Sequence, residues 1–283
     1  MPYLTVRTYD ELKKYVKAFR RKHIGLLIIV SRAGLGKTSI VEEELEVEAP
    51  LMLNSHITPL SFYQILAERT SEEKDCLIVV DEAEMIFRDA KLRTMLKILC
   101  DTRKEKVVKY MSTTPLLRQL PKEITTEAKV VMLINTLTPK DEDIKAIMSR
   151  GHLIRFEPPD DEILSYIMNG AWATDKEIKD FIKGYANISR ALTLRTYVKA
   201  VESKKSNLDW ESEVITELEL DPRLLTIRRI LKTVKNKSDR IKEWEKQTGD
   251  NRAMYFRYKK MYSTKVLGQK DREDEEDLLQ NFT

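Results

Sequence analysis

The chain has 283 residues, of which 42% are hydrophobic and 34% are charged, and its formal net charge is +4. This length allows one large core or two to three modules, and the apolar fraction is ordinary for a globular protein. No apolar run approaches the length of a membrane span and no signal-peptide segment is seen, so we expect a cytoplasmic protein with no membrane partner. The two cysteines and three histidines lack metal-ligand spacing, which argues against disulfides and zinc.

The first predicted element is an amphipathic helix. Thr8 and Glu11 have the spacing of a capping box, and the apolar residues that follow, Leu12, Tyr15, Val16 and Phe19, share one helical face. The apolar run from Gly25 to Val30 then predicts a buried strand.

A phosphate-binding loop follows that strand directly. Its sequence runs from Ser31 to Thr38 and reads SRAGLGKT. The usual pattern has a glycine at its first position, and Ser31 can replace this glycine if the φ of Ser31 is negative. The glycines let backbone N–H groups face phosphate oxygens, the lysine supplies charge for the β- and γ-phosphates, and the threonine hydroxyl can ligate Mg²⁺. The pattern predicts ATP and Mg²⁺ as ligands. The predicted nucleotide-binding residues are Ser31, Gly34, Leu35, Gly36, Lys37, Thr38 and Ser39.

Two acidic residues end a later strand. After a short strand at Leu51–Leu53 and a helix from Pro59 to about Glu68, the run Cys76–Val80 is apolar throughout and is followed by Asp81 and Glu82. We expect Asp81 to hold Mg²⁺ together with Thr38, and Glu82 to orient and polarise the attacking water.

Two further strands compete for the next position beside the phosphates, Val107–Thr113 and Lys129–Asn135. Each ends in polar residues, Thr113 and Thr114 in the first case and Asn135 in the second.

The pattern to this point resembles the AAA+ ATPases, in which a central strand ends in a polar "sensor 1" residue. The run from Ile134 through Ser149-Arg150-Gly151 to the strand His152–Phe156 is similar to that of clamp-loader subunits. This resemblance implies that Asn135 is sensor 1, with Thr113 and Thr114 as the fallback. It further implies that Val107 to about Ala128 is an inserted hairpin, which touches DNA or a neighbouring subunit or is a plain connecting arm.

By the same resemblance, Arg150 is the candidate arginine finger that reaches the γ-phosphate of an adjacent protomer. A surface arginine at a helix end is the alternative. Gly151 stands where the family has a cysteine, so the match is partial.

Pro158-Pro159 marks a boundary, because neither residue continues a strand ladder. Helical patterns follow at about 161–168, 175–185 and 189–203, and they resemble the AAA+ lid. Residues 186–190 resemble the lid's sensor-2 motif, which would direct Arg190 to the nucleotide of its own subunit. A purely structural arginine is an equal alternative.

The C-terminal block is basic. The segment from Arg223 to Lys265 contains fourteen Lys/Arg and four Asp/Glu, which gives a local charge of +10 and suggests a polyanionic partner. Three helical stretches, 223–234, 239–247 and 252–262, include a short glycine-containing turn at 248–251, which is the layout of a helix-turn-helix. The candidate DNA contacts are Arg252, Arg257, Lys259 and Lys260. A lid extension or a ring-contact helix is the alternative.

Residues 267–283 are acidic and end in a short apolar peptide, which predicts a disordered tail or a docking motif for a protein partner.

The sequence therefore predicts an α/β P-loop core of the AAA+ type with a parallel sheet, a helical lid and an all-α C-terminal domain. The predicted domains are 1–159, 160–206, 207–266 and the tail 267–283. The first functional choice is an ATPase homo-oligomer that assembles on duplex DNA as a loader or adaptor in replication, transposition or phage or plasmid maintenance. A DNA-translocating motor or helicase is one alternative. An ATP-liganded transcriptional regulator is another, although it would not require Glu82.

Overall fold

The structure, a computed structural model, describes residues 3–53, 57–111, 120–136, 142–189 and 191–266. It divides into two compact units after Pro159. In the described part of the chain, no helix is both long and apolar enough to cross a membrane.

The first unit is an α/β domain. In chain order its elements are β1 (Leu4–Val6), α1 (Tyr9–Arg20), β2 (Leu26–Val30), α2 (Lys37–Leu45), β3 (Leu51–Leu53), α3 (Pro59–Glu72), β4 (Leu77–Val80), α4 (Ala83–Ile86), α5 (Ala90–Leu99), β5 (Lys106–Lys109), β6 (Glu123–Thr126), β7 (Lys129–Ile134), α6 (Glu142–Met148) and β8 (His152–Phe156).

Six of these strands form one parallel sheet in the order β1-β8-β2-β7-β4-β3. Every residue of β2 and β4 is buried, which explains why both read as unbroken apolar runs. Because the strands are parallel, the loops after β2, β4 and β7 leave the sheet at the same edge. The order of the strands thus brings together the phosphate-binding loop and the polar residues that follow the other two strands.

The segment before β7 is an inserted hairpin, as predicted. Among the described strands, β5 and β6 pair with each other alone, antiparallel, so the predicted strand at Val107 is not part of the main sheet. Thr113 and Thr114, the fallback sensor residues, lie outside the described residues.

The predicted starts of α1 and α3 are confirmed, whereas the helix predicted from residue 189 begins at Leu194. Thr8 and Glu11 form a complete capping box at α1, and Thr58 caps α3 with Pro59 in its first turn. α3 continues to Glu72, beyond the predicted end at about Glu68, because its buried face extends to Thr70.

The second unit consists of helices α7 (Asp160–Asn169), α8 (Lys176–Ala186), α9 (Leu194–Lys205), α10 (Trp210–Glu217), α11 (Arg223–Thr233), α12 (Lys237–Thr248) and α13 (Arg252–Met261), followed by a π-helical turn at Tyr262–Val266. α10 packs on α9, and the Trp210 ring meets Phe181 of α8 edge-on at 5.2 Å. The residues assigned to lid and C-terminal domain thus lie in one compact unit, and the boundary at 206 remains a prediction. Arg190 and the acidic tail 267–283 lie outside the described residues.

The fold class predicted from the sequence is confirmed: an α/β P-loop core with a parallel sheet is followed by an all-α region.

Candidate nucleotide-binding site

The phosphate-binding loop has the backbone conformation that its glycines predict. Gly34 and Gly36 lie in the left-handed region at φ 84° and 78°, and neither amide donates to another described residue. Ser31 is not among the described residues with positive φ, so serine is tolerated at the position of the first glycine. Its amide donates to the carbonyl of Ile134 at 3.0 Å and ties the loop to β7. The loop leads straight into α2, whose N-terminus favours anions.

Lys37 is buried, with 6% of its surface exposed. Its Nζ donates to Asn135 Oδ1 at 2.5 Å and to the Ser31 carbonyl at 3.3 Å. An ammonium this far from water needs acceptors. These two oxygens hold Lys37 between the loop and the end of β7, where phosphate oxygens can replace them.

Thr38 and Asp81 provide a pair of oxygens for Mg²⁺. Thr38 Oγ1 donates to Asp81 Oδ2 at 3.1 Å. Adjacent ligands of an octahedral Mg²⁺ with bonds of 2.0–2.1 Å lie about 3 Å apart, so this spacing fits the ion. Among the described residues, no group of three or more His, Cys, Asp or Glu is placed to hold a metal ion. Mg²⁺ generally keeps several waters and is bound by one or two carboxylates together with substrate phosphates. Bound there, Mg²⁺ would neutralise charge on the β- and γ-phosphoryl oxygens.

Glu82 has a strained backbone. Its φ is +50°, in the left-handed region, which costs a residue with a side chain about 1 kcal/mol. The Glu82 amide donates to Asp81 Oδ1 at 2.8 Å, which fixes the carboxylate that faces Thr38. The Glu82 side chain is exposed at the same sheet edge. Strain held beside a candidate metal ligand is typical of functional sites.

A cavity of about 480 Å³ adjoins the loop. Ser31, Leu35 and Asn135 line one part of it, and Tyr3, Arg155 and Glu157 line another. Arg155 donates to the Tyr3 hydroxyl at 2.5 Å and pairs with Glu157 at 2.6 Å. These three residues carry no local sequence signal of a site, because Tyr3 reaches Arg155 only when β1 pairs with β8.

Arg150 lies at the opposite edge of the sheet. It precedes β8, whose first residue, His152, is in register with Leu27 near the start of β2. The five residues of β2 span about 16 Å, so Arg150 is far from the phosphate-binding loop of its own chain. The structure therefore brings Lys37, Thr38, Asp81, Glu82 and Asn135 together and separates Arg150 from them.

The candidate DNA contacts lie on α13. Arg252, Arg257 and Lys260 are exposed, whereas Lys259 is buried at 9% exposure and is poorly placed to meet a phosphate. The turn before α13 matches the prediction, since Gly249 caps α12 at φ 75° and the Asn251 side chain accepts from the Met254 amide. Trp244 of α12 packs against Tyr255 and Tyr258. This aromatic cluster fixes the two helices and leaves three of the four cations on the surface.

Comparison with protein-family models and with curated proteins gives no match. Among solved structures, the chain is similar to C. elegans PCH-2, with 15% identity and a TM-score of 0.45 over 74% of this chain and 67% of that one. The Thermotoga maritima RuvB Holliday junction branch migration motor matches with 14% identity and a TM-score of 0.46 over 91% and 84%. The FIGL-1 AAA domain in complex with ADP matches with 14% identity and a TM-score of 0.45 over 85% and 88%.

Proposed function

We propose that this protein is an AAA+ ATPase that hydrolyses ATP to ADP and phosphate. The observation that carries the proposal is the meeting, at one sheet edge, of the buried Lys37 ammonium, the Thr38–Asp81 oxygen pair, Glu82 and Asn135. In the proposed mechanism Lys37 contacts the β- and γ-phosphates, Glu82 orients the attacking water, and Asn135 lies beside the γ-phosphate.

Two variants test these roles. Lys37→Ala should weaken ATP binding, whereas Glu82→Gln should bind ATP as wild type does and hydrolyse it at least about 100-fold more slowly. ATP affinity and phosphate release are measured on the same preparations. Equal loss of binding in both variants would contradict the division of roles.

We further propose a homo-oligomer with ATP at subunit interfaces and Arg150 acting in trans. The distance between Arg150 and the loop of its own chain supports this arrangement. An Arg150→Ala protein keeps its own Glu82, and a Glu82→Gln protein keeps its Arg150, so a mixture of the two contains interfaces with both groups intact. Activity should reappear in the mixture. No recovery in a mixture that still assembles would exclude a role for Arg150 in trans.

The proposed partner of the oligomer is duplex DNA, and the favoured role is that of a loader or adaptor. The support is the +10 charge of residues 223–265 and the exposure of Arg252, Arg257 and Lys260 on a helix that follows a tight turn. We expect DNA affinity to fall steeply with salt, and each lost phosphate contact to reduce the log–log slope by roughly 0.9.

Arg252→Ala and Arg257→Ala test this surface, with Lys205→Ala, exposed on α9 and outside residues 223–265, as a matched control. Replacing an arginine that reads a base should cost about 1–3 kcal/mol of binding free energy on the preferred sequence only. Replacing one that contacts phosphate should weaken binding to every sequence. Anisotropy titrations at several salt concentrations separate these cases. Unchanged affinity and slope in both variants would remove α13 from the DNA surface.

A translocating motor is the second candidate, because the inserted β5–β6 hairpin is an additional element beside the ATPase sheet. ATP-dependent strand separation or movement along DNA would favour the motor over the loader. The acidic tail 267–283 is proposed as the docking segment for a protein partner on the basis of its sequence.

A further inference from the structure

Asp101, just beyond α5, holds two arginines. Its Oδ1 accepts from Arg103 Nε at 2.9 Å and from the Arg103 amide at 3.0 Å. Its Oδ2 lies 3.8 Å from Arg150 Nη1. The hydrogen bonds from Arg103 lower the pKa of Asp101 to about 2, so this carboxylate is charged at any working pH. One fixed anion therefore brings Arg103 and Arg150 to the same place.

Arg150 has a second anchor. Its Nη1 donates to the Lys97 carbonyl at 2.8 Å, in the last turn of α5, where the helix dipole favours a cation. A guanidinium has five N–H donors in a fixed plane, and both anchors of Arg150 use the same nitrogen. The side chain of Arg150 remains 29% exposed and that of Arg103 is 77% exposed. Both arginines are thus oriented and still have donors for an oxyanion.

The two arginines line a cavity of about 310 Å³ at the edge of the sheet where the strands begin. Asp101 is the one acidic residue among the described residues that line it, whereas the basic ones are Lys22, Arg103, Lys104, Lys106, Lys129 and Arg150. Lys22 and Lys104 are paired with carboxylates outside the cavity. Burial, with a smaller contribution from Lys129, lowers the pKa of Lys106, whose Nζ donates to the Ala128 carbonyl at 2.5 Å. The cavity is therefore suited to an anion.

The nucleotide of the same chain would lie at the other end of β2, about 16 Å away, too far for a side chain fixed by Asp101. We propose that Arg103 and Arg150 together form a two-arginine site for the nucleotide phosphates bound by a neighbouring copy, with Asp101 as the residue that positions both. The inference rests on the proposed ATPase function and adds Arg103 and Asp101 to it. Both guanidinium groups neutralise charge on the transferred phosphoryl group, and neither takes part in bond making or breaking.

Single-site variants of the full-length chain test the proposal. Arg103→Ala should lower kcat about 10-fold to 100-fold and leave the KM for ATP within about threefold, because a contact strongest in the transition state acts on kcat. Arg103→Lys should also lose activity, since an ammonium does not reproduce the fork geometry. Asp101→Asn should lower kcat with an unchanged affinity for ATP. Lys109→Ala is the matched control, since Lys109 lies exposed on β5, six residues after Arg103, and does not line the cavity.

Mixing separates a role in trans from a structural defect. Arg103→Ala and Asp101→Asn should each regain activity when mixed with Glu82→Gln, because the mixture contains interfaces with an intact Glu82 and an intact arginine pair. Oligomeric state with a slowly hydrolysed ATP analogue is measured for every variant, and Arg103→Lys replaces Arg103→Ala if the latter does not assemble.

The outcomes distinguish the two proposals. The two-arginine site is overturned if both Arg103 variants keep the wild-type kcat while Arg150→Ala is inactive and is rescued by mixing. The proposed ATPase function would stand in that case. Loss of kcat in the Arg103 or Asp101 variants without rescue by mixing also overturns the two-arginine site. A wild-type protein that binds no ATP overturns the proposed function itself.

Discussion

The contacts of the Lys37 ammonium set the loss of ATP affinity that we expect when this group is removed. In the free protein the ammonium already donates to Asn135 Oδ1 and to the Ser31 carbonyl, so ATP binding exchanges these neutral oxygens for charged phosphate oxygens. A hydrogen bond to a charged group contributes about 1.5–3 kcal/mol and a neutral one about 1 kcal/mol. Lys37→Ala removes two charged bonds from the ATP complex and two neutral bonds from the free protein. The binding free energy of ATP should therefore weaken by the difference, about 1–4 kcal/mol. We therefore expect the Kd for ATP to rise by about fivefold to 900-fold.

Isothermal titration of ATP and ADP into wild type, Lys37→Ala and the exposed control Lys91→Ala measures the effect. The loss should be larger for ATP than for ADP, because the γ-phosphate is missing from ADP. A Kd for ATP within twofold of wild type would refute the placement of Lys37 at the phosphates. Thermal unfolding of the free proteins is the control for folding, since the substitution also leaves Asn135 without one of its partners.

Three further predictions concern backbone strain and charge. Glu82→Asn should abolish hydrolysis and stabilise the protein by about 0.5 kcal/mol in urea unfolding, because asparagine tolerates the left-handed backbone at φ +50° better than glutamate; a less stable variant would argue against strain at this residue. Gly249→Ala should cost about 1 kcal/mol in the same assay, because φ is +75° while a Cβ there meets no atom within 4 Å; a loss well above 2 kcal/mol would point to a steric cause instead. Asp75→Asn should cost up to about 1 kcal/mol at neutral pH, since the carboxylate accepts from Lys22 at 2.6 Å but its side chain is 42% exposed. The hydrogen bond from Lys22 lowers the pKa of Asp75 below 3.8, so the stabilisation is complete above pH 3.8 and is lost as the pH falls through the folded-state pKa; a stability difference that does not change in acid would contradict the assignment.

Local sequence was sufficient for most elements of the fold. The capping box at Thr8, the cap and proline that begin α3, and the turn around Gly249 are each confirmed, because their hydrogen bonds join residues two to four positions apart. The apolar runs of β2 and β4 are likewise confirmed, since a strand buried on both faces must be apolar throughout.

The centre of the candidate site was also accessible from sequence. The loop after β2 and the acidic pair after β4 were placed together because parallel strands direct their following loops to one edge of the sheet. Asn135 was selected over Thr113 and Thr114 by resemblance, and the structure adds that its Oδ1 accepts from Lys37. The roles of these residues remain predictions until the variants are measured.

Tertiary structure alone decided the remaining features. Tyr3 and Arg155 are 152 residues apart and meet only because β1 pairs with β8, and Asp101 meets Arg150 only because the end of α5 lies beside the start of β8. The burial of Lys259 depends on how α13 packs, which its charge does not reveal. The local sequence specifies the elements and the chemistry at their ends, because short-range hydrogen bonds and apolar periodicity act within a few residues. Contacts between distant segments depend on strand order and packing, and these follow from the burial of the whole core.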